Sequence, residues 1–401
     1  MLLKSRFIEM FGNPIVNEKK WKVVLLDDAC EGIGDGLHGT PKYDDLGDYP
    51  FINGNNLIDG VIKITTSTRM VNEETYKKHY TNINNNAILI SINGTLGKLA
   101  FYNGEKLMLG KSACYCNLKS NINRDFVYSV MKTEAFAGYL DSNSTSSTIK
   151  NIGLKAMRAF RLIQPPSKMQ IEYVDFAKQI DKSKFLLQQM IAKLELLKKS
   201  RFIEMFGCIG KDEKQWGLKS LKDCVEVNPQ KSKDPLILSN SIEEVSFVPM
   251  AFVGENGSID CSCIKNYDEV KSGFTYFKEN DVLFAKITPC MENGKGCIAK
   301  GLHNGIGFGS TEFHVLRPLD NLCNPKWLYY VSTSQEMRRS AEKKMTGSAG
   351  QRRVPAKFLE DFKISIPPIE LQKQFATFVS QVDKSKAILQ KQLDDLVGSN
   401  K

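Results

Sequence analysis

Two stretches of this chain carry apolar side chains at alternating spacings of three and four. The first stripe runs through Tyr173, Phe176, Ile180, Ser183, Leu187, Met190, Leu194 and Leu197. The second runs through Phe375, Phe378, Val382, Ser385, Leu389, Gln392 and Leu396. That period puts each stripe on one helix face and, sustained over several turns, predicts a seam that packs on another helix. Ser183 and Ser385 hold matching small positions in it. Pro165-Pro166 and Pro367-Pro368 mark where the helices start, and Gly207 closes the first. From Met169 to Phe206 that helix would extend about 57 Å at 1.5 Å per residue. Two such stripes most simply pack on each other, antiparallel if a pseudo-twofold axis relates them. Packing of each helix on its own domain is the alternative.

The frame repeats. Ser5-Arg-Phe-Ile-Glu-Met-Phe-Gly12 recurs unchanged at Ser200 to Gly207, 195 residues on. At the same offset Trp21 matches Trp216, Leu26 matches Leu221, Asp28 matches Asp223 and Glu31 matches Glu226. Pro165-Pro166 and Asp181-Lys-Ser-Lys184 recur at Pro367-Pro368 and Asp383-Lys-Ser-Lys386, now 202 residues on. The change in offset means that the two units share a framework and differ in their interiors. Leu396 is the equivalent of Leu194 and Met1 that of Leu196, so residues 1–12 would supply the piece of helix the second copy lacks. The chain reads as a two-unit circle cut inside one long helix, with its termini expected to lie close together.

Between the helices, short apolar runs alternate with Gly, Asn and Asp turns. Strands are expected over Ala87 to Ile92, Lys98 to Tyr102, Asp281 to Ile287 and Phe313 to Leu316. The predicted fold class is α+β: two globular domains, residues 13–165 and 208–366, joined by long antiparallel coiled-coil helices, residues 166–207 and 367–401, with residues 1–12 completing the second.

Charge and composition narrow the function only a little. The net charge is +10, from 55 basic and 45 acidic residues, which permits a polyanionic partner without requiring one. No run approaches the roughly 18 apolar residues of a membrane span. The first eleven residues hold Lys4, Arg6 and Glu9 among apolar ones and do not read as a signal peptide. A cytoplasmic protein is expected, with its ten cysteines reduced and mostly buried. None forms a C-x-x-C pair. The four histidines, His38, His79, His303 and His314, are not paired at metal-ligand spacing. No metal is expected.

Catalytic motifs are missing too. Gln164-Pro165-Pro166-Ser167 and Ile366-Pro367-Pro368-Ile369 lack the flanking residues of an adenine methyltransferase loop. Gly104 to Ser112 has one residue too many for a phosphate loop, and Gly294-Lys295-Gly296 lacks the hydroxyl residue. The expectation is a non-catalytic chain with no catalytic residue and no cofactor of its own.

Several loops instead carry Gly, Asn, Thr and Lys between apolar strands, where backbone can approach phosphate and side chains can read base edges. In the first domain the candidate DNA-binding residues are Thr40, Lys42, Tyr43, Asn53, Asn55, Asn56, Asn93, Thr95, Lys98 and Lys111. In the second they are Lys286, Thr288, Asn293, Lys295, Ser310, Thr311, Gln351, Arg352 and Arg353. Any one loop could equally be a hairpin turn. The two arginines stand out, because they need an anion or solvent.

Asp281 to Lys295, Gly309-Ser-Thr-Glu-Phe313, Thr346-Gly-Ser-Ala-Gly-Gln-Arg-Arg-Val-Pro355 and the helix after Ile366-Pro-Pro368 together resemble a type I restriction-modification specificity subunit. A looser version occupies the first domain, at Gly39 to Tyr43, Ile88 to Lys98 and Ser142 to Thr148. The resemblance implies two target-recognition domains reading a bipartite site on double-stranded DNA, with the helices setting the gap. It also implies two methyltransferase subunits and restriction subunits as partners, on which S-adenosylmethionine, ATP and Mg would act. Opposite Gly-Ser-Ala-Gly-Gln-Arg-Arg353 the first domain has Ser144-Thr-Ser-Ser-Thr-Ile-Lys150, so the half-sites are expected to differ. A specificity subunit for a stand-alone DNA adenine methyltransferase, or a protein-binding helical scaffold, are the alternatives.

Overall fold

A computed structural model describes residues 2–145, 148–239, 242–348 and 350–398. Parts of four sequence features, at Met1, at Ser146 and Ser147, at Ala349 and at residues 399–401, lie outside the described residues. The chain forms two compact units, residues 1–187 with 392–401, and residues 188–391. The boundary falls inside the 40-residue helix Ser167–Phe206.

The first unit is built around the strand Ala87–Ser91, buried at every position. Its side chains alternate between two cores, as a strand's must. Ile88 and Ile90 enter a core with Phe7, Phe11, Phe126 and Tyr173; Ala87 and Leu89 enter another with Ile52, Leu57 and Leu109. The strand sits in an antiparallel sheet ordered Cys30–Asp35, Ala113–Leu118, Ala87–Ser91, Leu99–Phe101. A smaller sheet sets Tyr49–Ile52 parallel to Met108–Leu109. Lys22–Leu25 and Arg161–Gln164 pair antiparallel where the domain meets its helix.

The second unit repeats this plan. Val282–Ala285 is likewise buried throughout, with Val282 and Phe284 in one core and Leu283 and Ala285 in another. Its sheet runs Val225–Val227, Phe313–Pro318, Val282–Ala285, Gly296–Ile298. Leu218–Ser220 pairs with Lys363–Ser365 as Lys22–Leu25 does with its partner. The mixture of antiparallel sheets and separate helices is that of an α+β domain. The expected strands form, each a residue or two from the predicted limits.

The repeated octapeptide has the same job twice. In the first unit Phe7 and Phe11 of the helix Leu2–Phe11 pack edge-on to Tyr173, at 5.3 and 5.6 Å between ring centres. In the second, Phe202 and Phe206 pack edge-on to Phe375, both at 5.4 Å. Phe126 and Trp327 close the two clusters from equivalent helices.

Within the second unit the C-terminal helix Ile369–Val397 runs antiparallel to the end of Ser167–Phe206. Glu195 meets Lys386 at 2.6 Å, Lys198 meets Asp383 at 2.9 Å, and Phe202 meets Phe375, so numbers rise on one helix as they fall on the other. The seam register needs a correction. Ser183, Met190, Leu197, Ser385 and Gln392 are exposed; Lys184, Ile191, Lys198, Lys386 and Leu393 are the less exposed neighbours. At Lys198 and Lys386 carboxylates across the seam let lysines occupy it, and a stripe chosen for apolar or small residues passes over both.

The described cysteines are free thiols, and six of them are buried. Among the described residues no helix is long and apolar enough to cross a membrane, and no group of side chains could hold a metal ion.

Candidate nucleic-acid interface

In the second unit three chain segments far apart in sequence converge at one end of the central sheet. The Lys286 amide donates to the Glu312 carbonyl, and the Val354 amide donates to the Lys286 carbonyl. Thr288 Oγ1 donates to the Gly350 carbonyl at 3.0 Å and accepts from the Arg352 amide at 3.2 Å. Lys286, Thr288, Arg352 and Arg353 are thereby brought together, with Ser310 beside them bonded to the Glu312 amide. Asn293, Thr311 and Gln351 are exposed. Lys295 turns elsewhere and donates to the Met250 carbonyl.

The two arginines meet protein carboxylates. Arg352 Nη2 lies 3.2 Å from Glu292 Oε1. Arg353 grips Glu312 with two prongs, Nε to Oε2 at 3.0 Å and Nη2 to Oε1 at 2.8 Å. The Arg353 guanidinium holds the Glu312 carboxyl below its usual range, although partial burial opposes this. Sequence reasoning missed both acids, since a search for anion-binding loops does not look for counter-ions. Arg353 also forms bridges with Ile287 and Thr346. Behind it, buried His314 lies with Nε2 2.8 Å from the Val354 carbonyl and Nδ1 3.0 Å from Asn228 Nδ2. Burial lowers the His314 imidazole, which favours its neutral form. It is a strand residue that anchors the arginine segment.

The first unit assembles a matching turn. Ser91 Oγ donates to the Thr95 carbonyl and accepts from the Lys98 amide, and the Gly94 amide donates to the Lys150 carbonyl. Lys98 Nζ reaches Asn55 Oδ1 at 3.3 Å. Asn53 and Asn56 are spent inside: Asn53 Oδ1 accepts from Ser112 Oγ, and Asn56 accepts from the Asn53 amide while donating to the Lys63 carbonyl. Asn93, half-buried, bridges to Asn151, and Thr95 is exposed. Lys111 is exposed, its amide bonded to the Leu37 carbonyl. Thr40 and Lys42 are exposed on the segment that carries Tyr43, whose ring packs against Phe51 under the Arg69 guanidinium.

Backbone bonds refine the match between the units. Gly94 bonds to the Lys150 carbonyl as Thr288 bonds to that of Arg352, and Ile152 follows Lys150 by two residues as Val354 follows Arg352. Lys150 therefore corresponds to Arg352, and Asn151 to Arg353. Lys150 is itself paired, to Asp141 at 2.7 Å.

The profile of the type I restriction modification DNA specificity domain matches residues 18–196 and again residues 213–397. The chain belongs to this family. It carries the specificity domain twice, in agreement with the internal repeat. Over 169 residues the specificity chain is 40% identical to the type I restriction enzyme EcoAI specificity subunit of Escherichia coli, covering 42% of this chain and 28% of that one. Over 194 residues it is 37% identical to the EcoEI specificity subunit of the same organism, covering 46% and 32%. The aligned part thus spans less than a third of the length of these relatives. In fold the specificity chain is similar to the S subunit of a type I restriction-modification system from M. genitalium, with a TM-score of 0.50 at 15% identity over 94% of this chain and 93% of that one. It is also similar to a chain from a structure of type I R-M complex assembly and conformational transition, with a TM-score of 0.52 at 14% identity over 94% and 96%.

Proposed function

We propose that this chain is the non-catalytic DNA-reading subunit of a type I restriction-modification complex, with two domains that read two unlike half-sites. The observation that carries the reading is the duplication itself. Each matched domain presents a turn after its central strand, bonded to a segment bearing Lys150 in one case and Arg352-Arg353 in the other. The antiparallel pairing of Glu195 and Lys198 with Lys386 and Asp383 supports helices that set the gap between half-sites. Two methyltransferase subunits would bind S-adenosylmethionine and modify adenine, and restriction subunits would add ATP- and Mg-dependent cleavage, in the cytoplasm. No step of that chemistry is assigned to this chain's residues.

In this reading Lys42, Lys98, Lys111, Lys286 and their neighbours meet phosphates, while Asn93, Asn293, Gln351 and Arg352 reach base edges. Duplex binding by the assembled complex at several salt concentrations tests it. Log affinity should fall linearly with log salt, more steeply as more phosphates are neutralised. Binding that ignores salt would favour a protein-binding scaffold.

A further inference from the structure

The two units hold the turn after their central strand by different means. In the first, Ser91 closes it from within, with its hydroxyl 2.6 Å from the Thr95 carbonyl and 2.8 Å from the Lys98 amide. The Ser91 amide donates to the Lys98 carbonyl as the Ala285 amide donates to that of Lys295, so the second unit has Ala285 in place of Ser91. Its turn, from Ala285 to Lys295, is three residues longer than that from Ser91 to Lys98. An alanine methyl has no acceptor with which to take the amide at the far end of the turn.

A brace reaches the second turn from outside. Arg338, on the helix Gln335–Glu342, donates from Nη2 to the Gly294 carbonyl at 2.7 Å. Its guanidinium lies so close over Gly294 that a Cβ there would stand 1.6 Å from Nη1, and Gly294 has a φ of +86°. Only glycine suits both conditions. A half-buried guanidinium committed to a neutral carbonyl gives up hydration for one charge-assisted bond, a costly choice unless the turn's position matters.

The first unit offers the internal comparison. Asn123 and Thr133 cap the helices Arg124–Met131 and Glu134–Ser142 as Asn324 and Ser334 cap Pro325–Ser332 and Gln335–Glu342. That registers Ala137 with Arg338. Ala137 lines an open groove of about 820 Å³ beside Gly94 to Lys98. The brace is a property of one domain.

We infer that Arg338 is a positioning residue for the DNA-reading turn of the second domain, fixing through Gly294 where Asn293 stands and where Glu292 meets Arg352. The inference rests on the DNA-reading function proposed above. Both consequences follow from the chain path, since Glu292 and Asn293 directly precede the held carbonyl.

The test uses the full chain assembled with its methyltransferase partners. Duplexes carry the host's modified motif, or that motif with one base changed in either half. Arg338→Met keeps the stem and removes the donors. It should lower base discrimination roughly tenfold, the scale of one misplaced base contact, in the half-site that Arg352→Ala also affects and not in the other. Arg338→Lys, which retains a donor, should recover part of it. Gly294→Ala, which displaces the guanidinium and leaves Arg338 present, should show the same confined loss. Unchanged discrimination in Arg338→Met, or an equal loss in both half-sites, would overturn the inference. A wild-type complex that prefers no sequence would instead overturn the DNA-reading function on which it rests.

Discussion

Arg353 and Glu312 face each other in a two-pronged ion pair, with Nη2 2.8 Å from Oε1 and Nε 3.0 Å from Oε2. An arginine expected to be open to DNA is thus tied to the turn that leads into the strand Phe313–Pro318. Arg352 has a single, longer contact with Glu292. The two arginines therefore differ in role. Arg352→Ala should weaken binding to the specific site by about 1–3 kcal/mol if it reads a base, and weaken all duplexes alike if it meets phosphate. Arg353→Ala should chiefly raise amide exchange across residues 346–354. Its effect on global stability should stay below about 1 kcal/mol, because the pair is partly open to solvent. Titrating both variants with specific and scrambled duplexes separates the roles.

The same pair sets a pH dependence. Arg353 lowers the folded-state pKa of Glu312, so the pair contributes stability above the carboxyl's unfolded value, about 4. That contribution is lost as pH falls through the lowered folded value. Protection of the 346–354 amides should decline with acid over that window. Glu312→Gln should show weaker protection at neutral pH and a flatter decline. An identical acid profile in the variant would remove Glu312 as the cause.

Lys198 is the seam's exposed dependency on charge. Its side chain is only 9% exposed and lies 2.9 Å from both Glu195 and Asp383. Burial works against its charge, yet the two carboxylates raise its pKa overall. Lys198→Ala leaves those carboxylates without their shared cation and should cost about 2 kcal/mol in chemical denaturation. Replacing Glu195, Lys198, Asp383 and Lys386 together by apolar residues of similar volume should be close to neutral.

The aromatic joints should tolerate little. Phe375 is fully buried against Phe202 and Phe206, and Phe375→Ala should cost about 3–5 kcal/mol in the second unit. Calorimetry of the variant should show that loss, since no polar partner can compensate for the emptied volume.

Much of this fold was legible because repetition and burial leave marks in sequence. The octapeptide around Phe7 and Phe11 recurs because the joint it fills recurs. Ala87 to Ser91 reads as a strand because both its faces are buried. What stayed hidden depends on pairs distant in the chain. Glu312 and Arg353 are neighbours only after folding, so the arginines looked free. The seam was misread by one residue at Leu197, since a heptad stripe read from apolarity passes over Lys198, whose counter-ion Asp383 lies on another helix. Arg338 had no local signal; its importance shows only against Ala137. Asn53 and Asn56, selected for their amides, spend them holding a turn. Conversely, the mismatch between the arginine segment and its first-domain counterpart was visible in sequence. Backbone bonds then moved it by one residue, to Lys150 against Arg352 and Asn151 against Arg353.

The most direct test of two unlike reading domains is methylome sequencing of a host carrying this chain with its methyltransferase partners, set against the same host lacking it. The predicted result is a modified motif in two parts, of different sequence, separated by a gap of constant length. A palindromic motif, a single uninterrupted one, or no motif that depends on this chain would contradict the account.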